Sequence, residues 1–215
     1  MPASPVIAVV DYGAGNLRSV AKALERSGLE PKVTSVPAAI RRADGVVLPG
    51  VGAFADSMTR LRDKRLDGAV RDSIEAGRPY LGLCLGLQLL FEESDEHGRT
   101  AGLGILPGRV ERFPDRDPAG GILRVPHIGW NTVRFCGDHP MLEQLPSEAC
   151  FYFVHSYRVR LGRRSLASGW TDYGGEFAAA AAHENMFAVQ FHPEKSQGAG
   201  KQLLDAYAGW VSACR

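Results

Sequence analysis

Apolar and polar positions alternate with one rhythm in the first half of the chain and another in the second. Val6 to Val10 is a β-branched, uncharged run that reads as a strand, and Leu17, Val20, Ala21 and Leu24 then recur at helical spacing up to Gly28. Between them Asp11-Tyr-Gly-Ala-Gly-Asn16 forms a glycine-rich turn, with Asn16 placed to cap the helix. Lys32 to Val36 and Gly45 to Leu48 read as the next two strands, the latter running into Pro49-Gly-Val-Gly-Ala-Phe54. A helix with Phe54, Met58 and Leu61 on one side follows, then another around Ala69 to Ala76, closed by Gly77.

Arg78 to Phe91 is too long an apolar run for one strand and carries small residues in its middle. Tyr80 to Leu83 reads as a strand buried on both faces, Leu85 to Phe91 as a helix, with Cys84 at the junction. Beyond Gly98 short alternating segments near Arg109 to Phe113, Gly121 to Val125, Trp130 to Phe135, Cys150 to Arg160 and Leu166 to Thr171 predict antiparallel strands. Phe177 to Ala182 and Met186 to Phe191 add two more, and Leu204, Tyr207, Ala208 and Val211 share one face of a closing helix. Strands alternating with helices predict an α/β fold, a central, mostly parallel sheet with helices on both faces, joined to an antiparallel, strand-rich C-terminal half. Functional loops then belong at the carboxyl ends of the strands. We expect residues 1–215 to form one domain, with no internal repeat and no low-complexity tract.

Charge removes several function classes. Lys plus Arg number 25 against 24 for Asp plus Glu, so no overall field draws the chain to nucleic acid or an anionic membrane. No stretch has the roughly 18 apolar residues of a membrane span, and Met1-Pro-Ala-Ser-Pro5 is too short and uncharged for a signal or transit peptide, so a cytoplasmic protein is expected. Cys84, Cys136, Cys150 and Cys214 follow no disulfide pattern and are taken as thiols. The 11–16 turn has half of a dinucleotide fingerprint, but Arg18 occupies the third glycine position, which leaves a ligand or partner contact rather than a cofactor site. Cys136 with His139, and Cys150 with His155, have roughly zinc-ligand spacing, but an odd separation on one strand sends Cys150 and His155 to opposite faces, so no metal is expected. His127, His139 and His183 are expected at the surface or as satisfied polar residues.

Three short stretches carry candidate chemistry. Gly82-Leu-Cys-Leu-Gly86 has the spacing of a nucleophile elbow, which would set the Cys84 thiol above the sheet at a helix N-terminus, where the thiolate is favoured. Its alternative is a buried core cysteine beside helix-packing glycines. Val189-Gln-Phe-His-Pro-Glu194 ends an apolar strand in a histidine and a carboxylate, the base and the orienting group that a cysteine nucleophile needs. At Gly50, Val51 and Gly52 the backbone N–H groups, with that of Leu85, are placed to stabilise an oxyanion.

Gly-Leu-Cys-Leu-Gly-Leu-Gln, Pro-Gly-Val-Gly and His-Pro-Glu together resemble the class I, or triad, glutamine amidotransferases. Asp11-Tyr-Gly-Ala-Gly-Asn16, Pro126-His-Ile-Gly-Trp-Asn131, Tyr152-Phe-Val-His-Ser-Tyr157 and Gln190-Phe-His-Pro-Glu-Lys-Ser196 are similar more specifically to the glutaminase subunits of imidazole glycerol phosphate synthases. The resemblance implies a flavodoxin-like sheet and hydrolysis of glutamine through a thioester on Cys84, with His192 as acid and base and Glu194 orienting it. It also implies glutamine contacts at Gln88, Glu96, Ser156 and Tyr157, no cofactor, and a (β/α)8-barrel cyclase partner that receives the ammonia for imidazole glycerol phosphate synthesis. Asn16, Arg18, His127, Trp130 and Asn131 are candidates for the docking face, Trp130 alternatively being a core residue. A glutaminase serving another synthase, a stand-alone Cys-His-Glu hydrolase and a non-catalytic protein with a vestigial triad are the competing readings.

Overall fold

The computed structural model describes residues 3–215, so the first two residues of the Met1 to Pro5 leader lie outside the described residues. Uncharged β-branched runs become strands covered on both sides. Chain order in the first half is β1 (Val6–Val10), α1 (Leu17–Arg26), β2 (Glu30–Thr34), α2 (Pro37–Arg42), β3 (Gly45–Gly50), α3 (Phe54–Asp63), α4 (Leu66–Glu75), β4 (Tyr80–Cys84) and α5 (Leu85–Gln88). Then come β5 (Phe91–Ser94), β6 (Thr100–Ala101), β7 (Leu106–Arg112), β8 (His127–Phe135), β9 (Glu148–His155), β10 (Tyr157–Leu161), β11 (Ala167–Asp172), β12 (Glu176–His183), β13 (Met186–Val189) and α6 (Gln197–Ala213).

One sheet of nine strands runs β2-β1-β3-β4-β13-β12-β11-β8-β9, and a four-stranded sheet runs β10-β7-β5-β6. The large sheet is parallel from β2 to β13. It is antiparallel from β13 to β9. The two-residue period of a strand divides the core into two layers. Ile7 and Val9 of β1 point to the face packed by Val20 and Leu24 of α1 and by Leu203, Leu204 and Tyr207 of α6. Ala8 and Val10 point to the face covered by Ile40 of α2, Phe54 and Met58 of α3 and Val70 of α4. Each such large side chain, fully buried, contributes about 1.5–3 kcal/mol. Among the described residues no helix is long and apolar enough to cross a membrane.

Several expectations need correction. The helix after Cys84 ends at Gln88 rather than Phe91, and Phe91 opens β5. The reason is competition for a carbonyl: Gly86, whose carbonyl the Leu90 N–H would need, accepts the Tyr80 hydroxyl at 2.8 Å, and Leu90 turns to the Leu87 carbonyl at 3.2 Å, so the helical ladder stops. Gly121 to Val125 is not a strand; it makes only an isolated bridge, Arg116 to Ile122, and Ile122 is 82% exposed. Asp117 Oδ1 accepts the N–H groups of Ala119 and Gly121 and turns the chain there instead. Cys150 to Arg160 is two strands in different sheets, broken at Ser156. The second strand lies at Glu30–Thr34, because Pro37 begins α2 with Val36 at its N-cap, and neither α2 nor β5 and β6 were expected. Asn16 occupies the N-cap of α1 without a side-chain hydrogen bond.

Candidate active site

Cys84 is the last residue of β4 and the residue before α5, with φ 53° and ψ −104°. That left-handed conformation in a residue with a Cβ costs on the order of 1–3 kcal/mol, and the packing around the turn holds it in place. At Gly82 a Cβ would sit 2.7 Å from the Gly86 carbonyl oxygen and 2.9 Å from Ala188 Cβ, while at Gly86 it would overlap the Leu48 carbonyl oxygen. Both glycines of the elbow are therefore close-packing requirements between β4, α5, β3 and β13. The thiol lies at the carboxyl edge of the parallel strands and is nearly buried, at 7% exposure.

β3 runs beside β4 with Gly50 opposite Cys84. A Cβ at Gly50 would come 2.8 Å from Leu85 Cβ and collide with the Tyr12 hydroxyl, so the chain reaches this position only as glycine. Gly50 and Leu85 are thus neighbours, and Val51 and Gly52 continue over the same edge, Gly52 with φ 101°.

His192 follows β13 across the sheet edge. Its backbone N–H donates to the Tyr152 carbonyl at 2.9 Å, and its carbonyl accepts the Ser196 hydroxyl, which in turn accepts the Tyr152 N–H at 3.0 Å. Strand β9 is the far edge of the large sheet, so these bonds mean that the antiparallel half curls round and returns over the end of β13. His192 Nδ1–H donates to Glu194 Oε1 at 2.9 Å, both side chains being nearly inaccessible. Nε2 is buried and has no hydrogen-bond partner. Burial opposes a charged ring, yet the adjoining Cys84 and Glu194 side chains outweigh it and raise the imidazole to about 10. At neutral pH the ring is a cation paired to a buried carboxylate.

A cavity of about 450 Å³ opens beside the thiol, lined by Val51, Gly52, Cys84, Leu85, Gln88, Glu96, Ser156 and Tyr157. Pro126, Val154, His155 and Lys195 line it as well, and none of these four was expected. A depression of about 500 Å³ between Glu92, Arg99, Arg109 and Arg160 has no cysteine, histidine or hydroxyl on its walls and no nucleophile to offer. Glu96 Oε2 accepts the Phe54 N–H at 2.6 Å and so caps α3, whose own N-cap residue provides no side-chain bond. A carboxylate retains acceptor sites after one such bond, enough to meet an ammonium group.

The Tyr157 carbonyl organises the polar wall. It accepts Gln88 Nε2 at 3.1 Å and His155 Nδ1 at 2.8 Å. A carbonyl has no proton to give, so His155 carries its hydrogen on Nδ1 and its Nε2 must accept. The donor at 3.0 Å is therefore His127 Nδ1–H, and His127 Nε2 in turn accepts the Asn131 amide at 3.3 Å. Burial lowers His127 to about 4 and His155 to about 3, so both rings are neutral and the chain of bonds has one direction, from Asn131 to Tyr157.

This alters the expected docking face. His127 is 3% exposed, stacked on Tyr173 at 3.9 Å between ring centroids, and cannot reach a partner surface; His139 is likewise buried. Asn131 is half-buried, with its amide also donating to the Asp172 carbonyl. Asn16 and Arg18 are exposed. Trp130 is 49% exposed beside Ile128, which decides against a core role, and its ring meets the edge of Tyr152 under Lys195. Cys150 is exposed where His155 is buried, in line with their opposite faces. Gln190, fully buried, places its Nε2 at 3.6 Å from Cys84 Sγ and was given no role by the sequence. Its signal was available: a lone amide inside an apolar strand end needs partners.

A profile of the family described as Glutamine amidotransferase class-I matches residues 8–206. The imidazole glycerol phosphate synthase subunit HisH of Moorella thermoacetica is 50% identical over 205 residues, 95% of this chain and 95% of its own. The protein of the same name from Synechococcus elongatus is 48% identical, over all of this chain and 98% of its own. Among solved structures, a glutamine amidotransferase superposes with a TM-score of 0.72 at 21% identity, covering 95% of this chain and 98% of that one. PurLQS from Thermotoga maritima superposes with 0.71 at 19% identity, covering 97% and 99%. At such identities the structural likeness speaks for the fold.

Proposed function

The chain belongs to the class-I glutamine amidotransferase family, and from that premise we propose that it is the glutaminase subunit of an imidazole glycerol phosphate synthase, serving histidine biosynthesis. The observation that carries the chemistry is Cys84 on its strained turn, beside a His192 cation paired to Glu194 and at the wall of a cavity that takes an amino acid. Glutamine enters with its α-ammonium at Glu96 and its side-chain amide at Cys84, bordered by Gln88, Ser156 and Tyr157.

The Cys84 sulfur attacks the amide carbon, and the new S–C bond turns the carbonyl oxygen into an oxyanion. Backbone N–H groups of the Gly50–Val51–Gly52 loop and of Leu85 stabilise it in a dry site, where such donors are worth most. His192 gives its proton to the amide nitrogen, the C–N bond breaks, and ammonia leaves. Water then attacks the thioester while His192 takes a proton from it, and the sulfur departs as glutamate is released. Glu194 keeps Nε2 turned to the reacting atoms throughout. Side chains and backbone serve every step, so no cofactor enters the reaction.

The relatives carry the name of a synthase subunit, which calls for a partner. We assign that place to a (β/α)8-barrel cyclase that consumes the ammonia. Its footprint includes Asn16, Arg18 and Trp130, where an exposed tryptophan beside Ile128 presents apolar surface at the mouth of the sheet edge. The test is ammonia release from glutamine by the chain alone and with the barrel subunit and its nucleotide substrate, with Cys84→Ser as the blank. Release that the partner stimulates and the blank lacks supports the reading. Full activity without any partner would replace it with a free-standing hydrolase.

A further inference from the structure

Gln190 has no solvent exposure, and a primary amide in that position is costly unless its donor and acceptor are both met. Its orientation follows from its neighbours. The Tyr157 carbonyl can only accept, so the Gln88 atom facing it at 3.1 Å is the amide nitrogen. That same nitrogen lies 3.0 Å from the Gln190 amide and must meet its oxygen. Gln190 Nε2 is thereby left facing Cys84 Sγ, at 3.6 Å, as a donor to the sulfur. A backbone carbonyl two residues removed from the chemistry thus dictates, through two glutamines, what the nucleophile meets.

We propose that Gln190 is a catalytic residue: its amide N–H holds the Cys84 sulfur in place and stabilises it as thiolate, before attack and again when the thioester is hydrolysed. A hydrogen bond made to the charged form favours that form, and an amide does not surrender its proton, so the donor is the same at the start and the end of each turnover. His192 moves protons and Gln190 does not. In the acyl intermediate the sulfur carries no charge and the bond weakens, so the stabilisation is concentrated on the two steps in which sulfur is anionic.

The turnover arm of the test rests on the glutaminase reading, whereas alkylation does not. Gln190→Glu keeps the shape and the acceptor that Gln88 meets and removes the donor; Gln190→Met keeps the length and removes both. Iodoacetamide modification of Cys84 at pH 7, followed by mass spectrometry of its own peptide because Cys136, Cys150 and Cys214 are also free, is expected to slow about tenfold in both. The value of kcat is expected to fall by about tenfold or more in both, with KM held within about twofold in Gln190→Glu, where the Gln88 partner is kept, which a merely structural role would not produce. Alkylation and kcat within twofold of the parent in folded Gln190→Met overturn the proposal. If either variant fails to fold, the parent protein decides: alkylating Cys84 should shift one Gln190 side-chain amide proton in a 15N-correlated NMR spectrum, and an unmoved resonance overturns it. A parent that releases no ammonia even with the barrel subunit and its nucleotide substrate removes the glutaminase reading, and alkylation with NMR then judges Gln190 alone.

Discussion

Charge at the Cys84 centre depends on the contact between His192 and Glu194. Glu194 acts on the far nitrogen of His192, at 2.9 Å, and together with Cys84 it lifts the ring to about 10 against its burial. Replacing the carboxylate by an amide keeps the shape and removes the charge. Glu194→Gln should therefore lower kcat by about a hundredfold or more, with a smaller effect on KM, in steady-state ammonia release. The same contact has a stability consequence. A ring whose folded pKa lies above its unfolded value near 6.5 supports the fold fully below that value, and the support is lost as pH rises towards about 10.

Elements place these groups by close approach. The single turn of α5 can sit over β3 because Gly86 has no side chain, and the end of β4 can lie under it because Gly82 has none. A third contact of this type holds the other half of the site. α6 begins immediately after the His192-Pro-Glu-Lys turn, and a Cβ at Gly200 would overlap the Pro193 carbonyl oxygen. Gly200→Ala must push α6 and that turn apart, at a cost of about 1–3 kcal/mol. Because Glu194 rides on the turn, kcat should fall along with the unfolding midpoint in urea, while KM changes less. A loss of stability with kcat intact would show that the turn is not braced by α6.

On the scale of the whole molecule, the curl of the antiparallel half brings β9 back over the end of β13, and His127 and His155 of this half are buried among Phe113, Phe153 and Phe177. Both rings are neutral in the folded chain, with values near 4 and 3 because burial disfavours their charge. The unfolded chain takes up protons on both below about 6.5, so their contribution is complete above that pH and is lost as pH falls towards the folded values. Urea unfolding should show a loss of about 2 kcal/mol for each ring between pH 7 and pH 5, and a His127→Gln, His155→Gln double variant should lack it. An equal slope in that variant would place the acid sensitivity elsewhere.

Much of this was legible in order along the chain. Paired glycines around Cys84, the His192-Pro-Glu194 step and the Pro49 to Gly52 turn each sit within a few residues, where steric need and local chemistry leave a direct mark on composition. The βα rhythm of residues 6–84 is local for the same reason, since periodicity in one segment reports the faces that segment buries. Helix length after Cys84 was not legible, because the hydroxyl of Tyr80, on the neighbouring strand, takes the Gly86 carbonyl that would have continued it. Nor was the fate of Gly121 to Val125, where a strand pattern met no partner edge. The burial of His127, the exposure of Trp130 and the bond from Gln190 to Cys84 depend on contacts between residues far apart in sequence. Local sequence determined the proposed nucleophile, its proposed base and their turns; tertiary structure alone decided what each polar group faces, because hydrogen-bond direction is set by the neighbour that can only accept.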